Sequence, residues 1–179
     1  MSATASSSHG SVATPLDVPV RRRAQARWRS AAILAAVLLA TATVAAVGAV
    51  LVVFARDVWF DNLRRPAWVP ATWVFLVGGA AVYLAVGIAG WRIWVRAPGS
   101  LAFTLWVVQL GLHLGWTVLF FGLWVPRWAF AEAVVLAIVA TATTVAAWPA
   151  TRLGAALFVP YLGSIGFLLA VNAVIVAWN

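Results

Sequence analysis

The chain has 179 residues, of which 65% are hydrophobic and only 9% are charged. A soluble domain carries roughly 25% charged and 45–50% apolar residues, so this composition excludes a water-soluble fold and predicts that lipid is the solvent. Cysteine is absent, which excludes disulfides, thiol catalysis and thiolate metal sites. With two histidines and four carboxylates, the chain also lacks the residues for most acid–base and metal chemistry.

The net charge of +8 comes from twelve arginines. Those of one group directly precede the first apolar run, namely Arg21, Arg22, Arg23, Arg27 and Arg29. The others lie singly or in pairs at the ends of later runs. A nucleic-acid reader would gather its basic residues on one surface. The observed distribution instead indicates orientation in a membrane, and we expect no nucleic-acid partner.

The N-terminal residues 1–29 are rich in Ser, Ala, Thr and Arg and show no periodic apolar face. This composition predicts a disordered basic tail. A cleaved signal peptide is the alternative, because basic residues precede an apolar stretch. The apolar core of such a peptide has about 7–15 residues, and the run 31–54 is longer. The pattern therefore favours a retained first span.

Five apolar segments are long enough to cross a bilayer, which takes about 20 helical residues. They comprise residues 31–54, 73–95, 101–122, 128–149 and 153–178. Tryptophan or arginine stands at many of their ends, as is typical of a membrane interface. The later connections are short, so consecutive helices are expected to be antiparallel neighbours. Residues 30–179 are predicted to form an all-α, five-helix transmembrane bundle.

The connection 55–72, ARDVWFDNLRRPAWVPAT, is the exception in length. Loops beyond about 12–15 residues are usually functional or disordered. This one carries Trp59, Phe60, Leu63 and Trp68 and is too apolar for a solvated linker. We expect it to pack over one mouth of the bundle as a lid, with Trp68 covering a bound ligand.

The arginines also predict an orientation. If the tail is inside, eight of the twelve arginines are inside and four are outside. The positive-inside rule then favours an inside N-terminus, with the long loop and the C-terminus together on the outer face. We expect a multi-pass protein of the bacterial cytoplasmic membrane.

Polar and aromatic residues form two stripes inside the predicted spans. Span three carries one stripe at helical spacing, consisting of Gln109, His113, Trp116 and Phe120. Span five carries the other, consisting of Tyr161, Ser164 and Asn172, and span two offers Tyr83. Intramembrane polar groups normally face the bundle interior. With Phe60 and Trp68 of the loop, these residues predict a flat apolar pocket containing a few hydrogen-bonding groups. The alternative is that Gln109, His113 and Asn172 only join helix to helix.

Other residues predict packing rather than chemistry. Gly111 and Gly115 form a Gly-x-x-x-Gly pair, which predicts a homodimer through span three. Pro160 is expected to kink span five. Glu132 lies near the start of span four, where the helix dipole favours a carboxylate, and a proton-relay role is the weaker alternative. No phosphate loop, metal-spaced cluster or nucleophile–base pair occurs, so we expect neither an enzyme nor a required cofactor nor a metal site.

Several strings together resemble the TspO/translocator (tryptophan-rich sensory) family. These are WFDNLRRPAWVPATWVF from Trp59, VYLAVGIAGW around Tyr83, QLGLHLGWTVLFFG from Gln109, and Arg152 with PYLGSIGFLLAVNAVIVAWN from Pro160. The resemblance covers about residues 55–179. It implies a five-helix bundle, often dimeric, with a cavity under the first long loop that binds porphyrins and other flat hydrophobic ligands.

The sequence departs from that family at five positions. Ala71 replaces the second loop proline, Arg65 replaces the loop lysine and His113 replaces an asparagine. Gly79 and Ser164 each stand where the family has tryptophan. Two large cavity aromatics are therefore missing, and the family's ligand preference need not apply.

The leading interpretation is a membrane receptor, carrier or sensor for a flat hydrophobic ligand, most naturally porphyrin or haem. His113 is then a candidate axial ligand of haem iron. A structural or partner-binding protein with a degenerate cavity is the second interpretation. A porphyrin-modifying enzyme is the third.

Overall fold

The computed structural model describes residues 17–179, and its described part is helical without β-strands. The helices are α1 (Asp17–Val58), α2 (Thr72–Arg96), α3 (Leu101–Thr117), α4 (Pro126–Ala147), α5 (Arg152–Ala156) and α6 (Phe158–Trp178). A 3₁₀ turn, Phe60–Asn62, follows α1, and a π-helical turn, Val118–Gly122, extends α3. The chain divides into two compact units at residues 32 and 33.

The described part of the first unit, residues 17–32, is helical, and its Trp28 is exposed. Residues 17–29 are therefore not the disordered tail that was expected. Ala and Arg favour a helix there, and the one proline of this stretch, Pro19, falls in the first turn, where it is tolerated. The expectation for residues 1–16 lies outside the described residues.

The prediction of five spans is confirmed for the described residues. Five stretches have the length and hydropathy of transmembrane helices: Gln25–Arg56, Trp73–Arg96, Leu101–Gly122, Pro126–Ala147 and Arg152–Trp178. Side chains cap two of the helix starts. Ser100 accepts a hydrogen bond from the Phe103 N–H at the start of α3, and Thr151 accepts one from the Gly154 N–H at the start of α5.

The fifth span breaks where proline predicts it. Pro160 has no N–H to donate to the carbonyl of Ala156, and its ring crowds that carbonyl. The span accordingly ends one helix at Ala156 and begins the next at Phe158.

Helix α4 packs against both α3 and α6. Its buried face carries a stripe of alanines, interrupted by Leu136 and Thr143, namely Ala129, Ala133, Ala140 and Ala147. Lipid tails are as apolar as leucine, so close backbone approach rather than apolarity holds such helices together. The alanine stripe permits that approach.

The long loop and the C-terminus meet at one end of the bundle, here called the loop side. Asn179 accepts a hydrogen bond from the Arg64 N–H at 3.1 Å and donates one to the Arg64 carbonyl at 3.3 Å. Asp61 lies between Arg56, at 3.3 Å, and Arg65, at 2.8 Å. These ion pairs are partly exposed and each contributes about 0–1 kcal/mol, so they arrange the loop more than they stabilise it.

Candidate ligand cavity

A cavity of about 770 Å³ lies under the loop, walled by α1, α2, α3, the π turn and α6. Its lining is almost entirely apolar. Sites for small organic ligands commonly enclose about 300–1,000 Å³ and place a few polar groups in apolar walls. The cavity has the size and chemistry of such a site.

Seven of the predicted site residues line this cavity: Phe60, Tyr83, His113, Trp116, Phe120, Ser164 and Asn172. Trp68, Gln109 and Tyr161 do not line it. Trp68 is half exposed and contacts the cavity residue Phe167, with ring centroids 5.7 Å apart.

The loop-side end of the cavity is aromatic because the π turn widens the end of α3. Its signature is the hydrogen bond from the Leu123 N–H to the Val118 carbonyl, at 2.8 Å. With this wider turn, the consecutive residues Phe120 and Phe121 both line the cavity. Phe120 also stacks on Trp116 with centroids 5.3 Å apart and ring planes 19° apart.

The turn after the π helix is strained and held in place by aromatic contacts. Trp124 has φ = 58°, which costs a non-glycine residue about 1–3 kcal/mol. Its indole N–H donates to the Phe121 carbonyl at 3.0 Å, and its ring stacks on Trp59 with centroids 6.3 Å apart. These contacts tie the loop to the end of α3.

His113 joins two helices and also faces the cavity. Its Nδ1 lies 3.2 Å from the hydroxyl of Tyr161 on α6, and its ring meets Tyr83 edge-on at 5.2 Å. If Nδ1 carries the proton, it donates to the hydroxyl and Nε2 keeps its lone pair. Among the described residues no group bonds Nε2, so the imidazole has a free acceptor at the cavity wall.

Asn172 lines the cavity and also lies within hydrogen-bond distance of α3 and α4. With its amide nitrogen turned to the Pro126 carbonyl at 3.0 Å, its oxygen accepts from the Trp116 indole and the Phe130 N–H, each at 3.2 Å. Residues 126 and 130 both belong to the first turn of α4, so the Asn172 amide ties α6 to the start of that helix. Asn172 thereby fixes the Trp116 ring that forms one wall of the cavity.

The remaining predicted polar residues differ in whether their side chains already have hydrogen-bond partners. The Ser164 hydroxyl donates to the Tyr161 carbonyl of its own helix at 2.7 Å. The Tyr83 hydroxyl bonds no group in the described part of the chain, so it is available to a ligand. Gln109 is fully buried, and both atoms of its amide lack partners among the described residues. Gln109 therefore makes no side-chain bond to a neighbouring helix in the described part of the chain, which was the alternative interpretation of this residue.

Several cavity residues lay outside the predicted set. They are mainly Arg56, Phe75, Thr117, Phe121 and Phe167, together with the small α1 residues Ala45, Ala46, Gly48 and Ala49. The spacing of Phe121 gives no signal, because only the π turn brings it inward. The small α1 residues could have been predicted, since alanine and glycine at helical spacing mark a helix face that either packs closely on a neighbour or leaves space beside it.

The lipid-facing surface between α3 and α4 also has a shallow apolar depression of about 630 Å³. Thr141 is its single polar residue, and that hydroxyl donates to the Ala137 carbonyl of its own helix at 2.8 Å. Such a surface has no free polar group to orient a ligand. Within residues 17–179, no three His, Cys, Asp or Glu side chains are placed so that they could hold a metal ion together.

The chain is similar in sequence to proteins of one known family. The profile of the TspO/MBR family matches residues 33–178. Protein CrtK of Rhodobacter capsulatus is 32% identical over 66% of this chain and 76% of its own length. The translocator protein of Sus scrofa is 32% identical over 64% and 70%. The tryptophan-rich sensory protein of Cereibacter sphaeroides is 32% identical over 59% and 67%. The chain is thus a multi-pass integral membrane protein that belongs to the TspO/MBR family.

Proposed function

We propose that this protein is a membrane receptor or carrier for a flat hydrophobic ligand, and that the ligand is a porphyrin or haem. One observation carries the proposal: the cavity of about 770 Å³ combines aromatic walls with a few unengaged polar groups. The nearly parallel rings of Trp116 and Phe120 offer a surface on which a planar ligand can stack.

The polar groups of the cavity fit the periphery and the centre of a tetrapyrrole. Arg56 lines the cavity at its loop-side end, where a guanidinium suits a propionate carboxylate. The Tyr83 hydroxyl and the Nε2 atom of His113 are the hydrogen-bonding or ligating groups farther in. The names translocator and sensory protein, carried by the relatives, support transport or sensing rather than catalysis for this chain.

A titration of purified protein with haem and with metal-free protoporphyrin IX, followed by absorbance, tests the proposal. We expect saturable binding of at least one porphyrin, beyond its partition into empty detergent micelles. Ala49→Trp fills part of the cavity and should lower the affinity, whereas Gly163→Trp, on an open surface of α6, should not. If no porphyrin binds saturably, the proposal is wrong and the alternative, a structural protein with a degenerate cavity, is favoured.

We propose an inside N-terminus, because eight of the twelve arginines then lie inside. Reporter fusions after Arg65, Pro98, Pro126 and Thr151 are expected to report outside, inside, outside and inside. The hydrogen bonds between Asn179 and Arg64 support placing the C-terminus on the same side as the loop. A same-side result for two consecutive fusions contradicts this topology.

We propose a homodimer that uses the Gly111 surface of α3. Gly111 is exposed, and a Cβ built there meets nothing within 4 Å, whereas one built at Gly115 lies 3.8 Å from Glu132 of the same chain. Gly111 is therefore the residue of the Gly-x-x-x-Gly pair that is open to a second copy.

Gly111→Ile is expected to weaken self-association at least about tenfold, since a branched side chain prevents close helix approach. Cross-linking in mild detergent across a range of protein concentrations measures it. Gly163→Ile, at an equally open glycine on α6, is the matched control. An unchanged dimer in Gly111→Ile leaves this glycine as a lipid-facing residue only.

A further inference from the structure

Helix α1 changes neighbours along its length. Toward its N-terminal end it touches α2, because a Cβ built at Gly87 comes within 2.9 Å of both Leu38 and Thr41. Toward the loop side it touches α3 and the π turn instead: a Cβ at Gly48 lies 3.7 Å from Thr117, and one at Gly122 lies 3.8 Å from Leu51. The helix therefore leaves α2 as it approaches the loop side.

The loop-side part of α2 is only sparsely covered by its neighbours. Residues 73–78 are six consecutive exposed residues. Six residues exceed one helical turn of 3.6 residues, so exposed side chains point in every direction around this segment, although Phe75 also contacts Phe167 of α6 with ring centroids 5.8 Å apart. A Cβ built at Gly78 or Gly79 meets nothing within 4 Å.

The same segment of α2 forms a wall of the cavity. Val74, Phe75, Leu76, Gly78 and Gly79 line it, and so do Ala45, Ala46, Gly48 and Ala49 of α1. One side of this segment is thus open to the cavity, and another is open to the surroundings of the bundle. The facing residues of α1 are small, so no long side chain spans the gap.

We propose that the cavity opens sideways into the bilayer between the loop-side halves of α1 and α2, and that ligands enter and leave through this lateral portal. The portal is the gap between residues 45–49 of α1 and residues 74–79 of α2. It is apolar on both sides, so it admits a molecule dissolved in hydrocarbon and no hydrated solute.

This inference rests on the proposed function and narrows its ligand class. The ligand is one that partitions into the membrane before it binds. Its local concentration is then set by the lipid and not by the water. The polar groups at the loop-side end of the cavity, Arg56 foremost, orient the ligand after it has passed the portal.

Cross-linking of the portal tests the route directly. The chain has no cysteine, so Ala46→Cys with Gly78→Cys can be joined specifically by a flexible, reducible thiol linker. Linking before addition of protoporphyrin IX to nanodiscs should slow loading at least about tenfold, a change of about 1.4 kcal/mol in barrier height. Linking after loading should trap the porphyrin, and reduction should release it. The control pair Leu51→Cys with Val118→Cys joins α1 to the π turn, where they already lie close, and should leave loading unchanged.

A second measurement does not depend on porphyrin binding. Ser164→Cys places a thiol at the cavity wall. In liposomes it should react faster with N-pyrenylmaleimide, which dissolves in the bilayer, than with a charged maleimide. Gly79→Trp should slow that reaction, and Gly163→Trp should not. Loading that is unaffected by the portal linker, or faster labelling by the charged reagent, overturns the portal. Failure of protoporphyrin IX to bind the unlinked protein counts against the proposed function, while the labelling result still decides the portal.

Discussion

Replacement of His113 by asparagine is expected to weaken haem binding at least about tenfold while changing the affinity for metal-free protoporphyrin IX by less than about threefold. A neutral imidazole is a competent ligand of haem iron, whereas an amide is a poor one. The geometry suits ligation because Nδ1 has a partner, the Tyr161 hydroxyl at 3.2 Å, and Nε2 has none among the described residues. The substitution should also shift the Soret band of bound haem.

Two further variants separate ligation from simple contact. Tyr161→Phe removes the group that orients the imidazole and should reduce haem affinity by about tenfold, as is usual for the partner of a metal-binding histidine. Ser164→Ala is the matched control, because Ser164 lines the cavity but its hydroxyl bonds its own helix. Equal losses for haem and protoporphyrin IX in His113→Asn would show that the side chain contacts the ring and not the metal.

Replacement of Gly90 by alanine is expected to destabilise the fold by about 1–3 kcal/mol or more, as overpacking of a close-packed core does. A Cβ at Gly90 would collide with Cε2 of the Trp106 indole and lie 2.6 Å from its Cζ2. The ring is rigid and 97% buried, at 3% exposure, so it has no room to retreat. Its N–H donates to the Val86 carbonyl at 3.0 Å, and displacement would break that bond inside the membrane.

Thermal unfolding in detergent and the monodisperse fraction after size-exclusion chromatography measure this effect. Gly163→Ala, where an added Cβ meets nothing within 4 Å, is the control and should match the wild type. Combining Gly90→Ala with Trp106→Leu should recover part of the loss, since leucine vacates the contested space. Wild-type stability in Gly90→Ala would mean that α2 and α3 can separate without cost at this point.

The sequence predicted the cavity better than it predicted the role of each residue around it. His113, Trp116 and Phe120 line the cavity as their helical spacing indicated. Asn172 also lines the cavity, but with its amide turned as described above its polar atoms already bond α3 and α4. Spacing reports which face of a helix a residue occupies, but it does not report whether a neighbouring helix already uses its polar atoms.

The helices differ from the predicted spans at three places, and the residues there explain two of the differences. The break between α5 and α6 follows from the missing N–H of Pro160, which the sequence displays. The π turn at residues 118–122 has no such sequence marker, so Phe121 was missed at the cavity. The helix α1 extends back to Asp17 because the one proline in this stretch, Pro19, falls in the first turn, where proline is tolerated.

The sequence alone determined the number of spans and the insertion of the protein in a membrane. About 20 consecutive apolar residues cross a bilayer as a helix whatever their neighbours are. The tertiary structure decided how the helices rotate and cross. In lipid every apolar face is equally well solvated, so hydrophobicity selects no contact, and small residues and hydrogen bonds choose the packing. Gly87 therefore draws α1 toward α2 at one level and Gly48 draws it toward α3 at another. The lateral gap that results is a property of their arrangement and of no single segment.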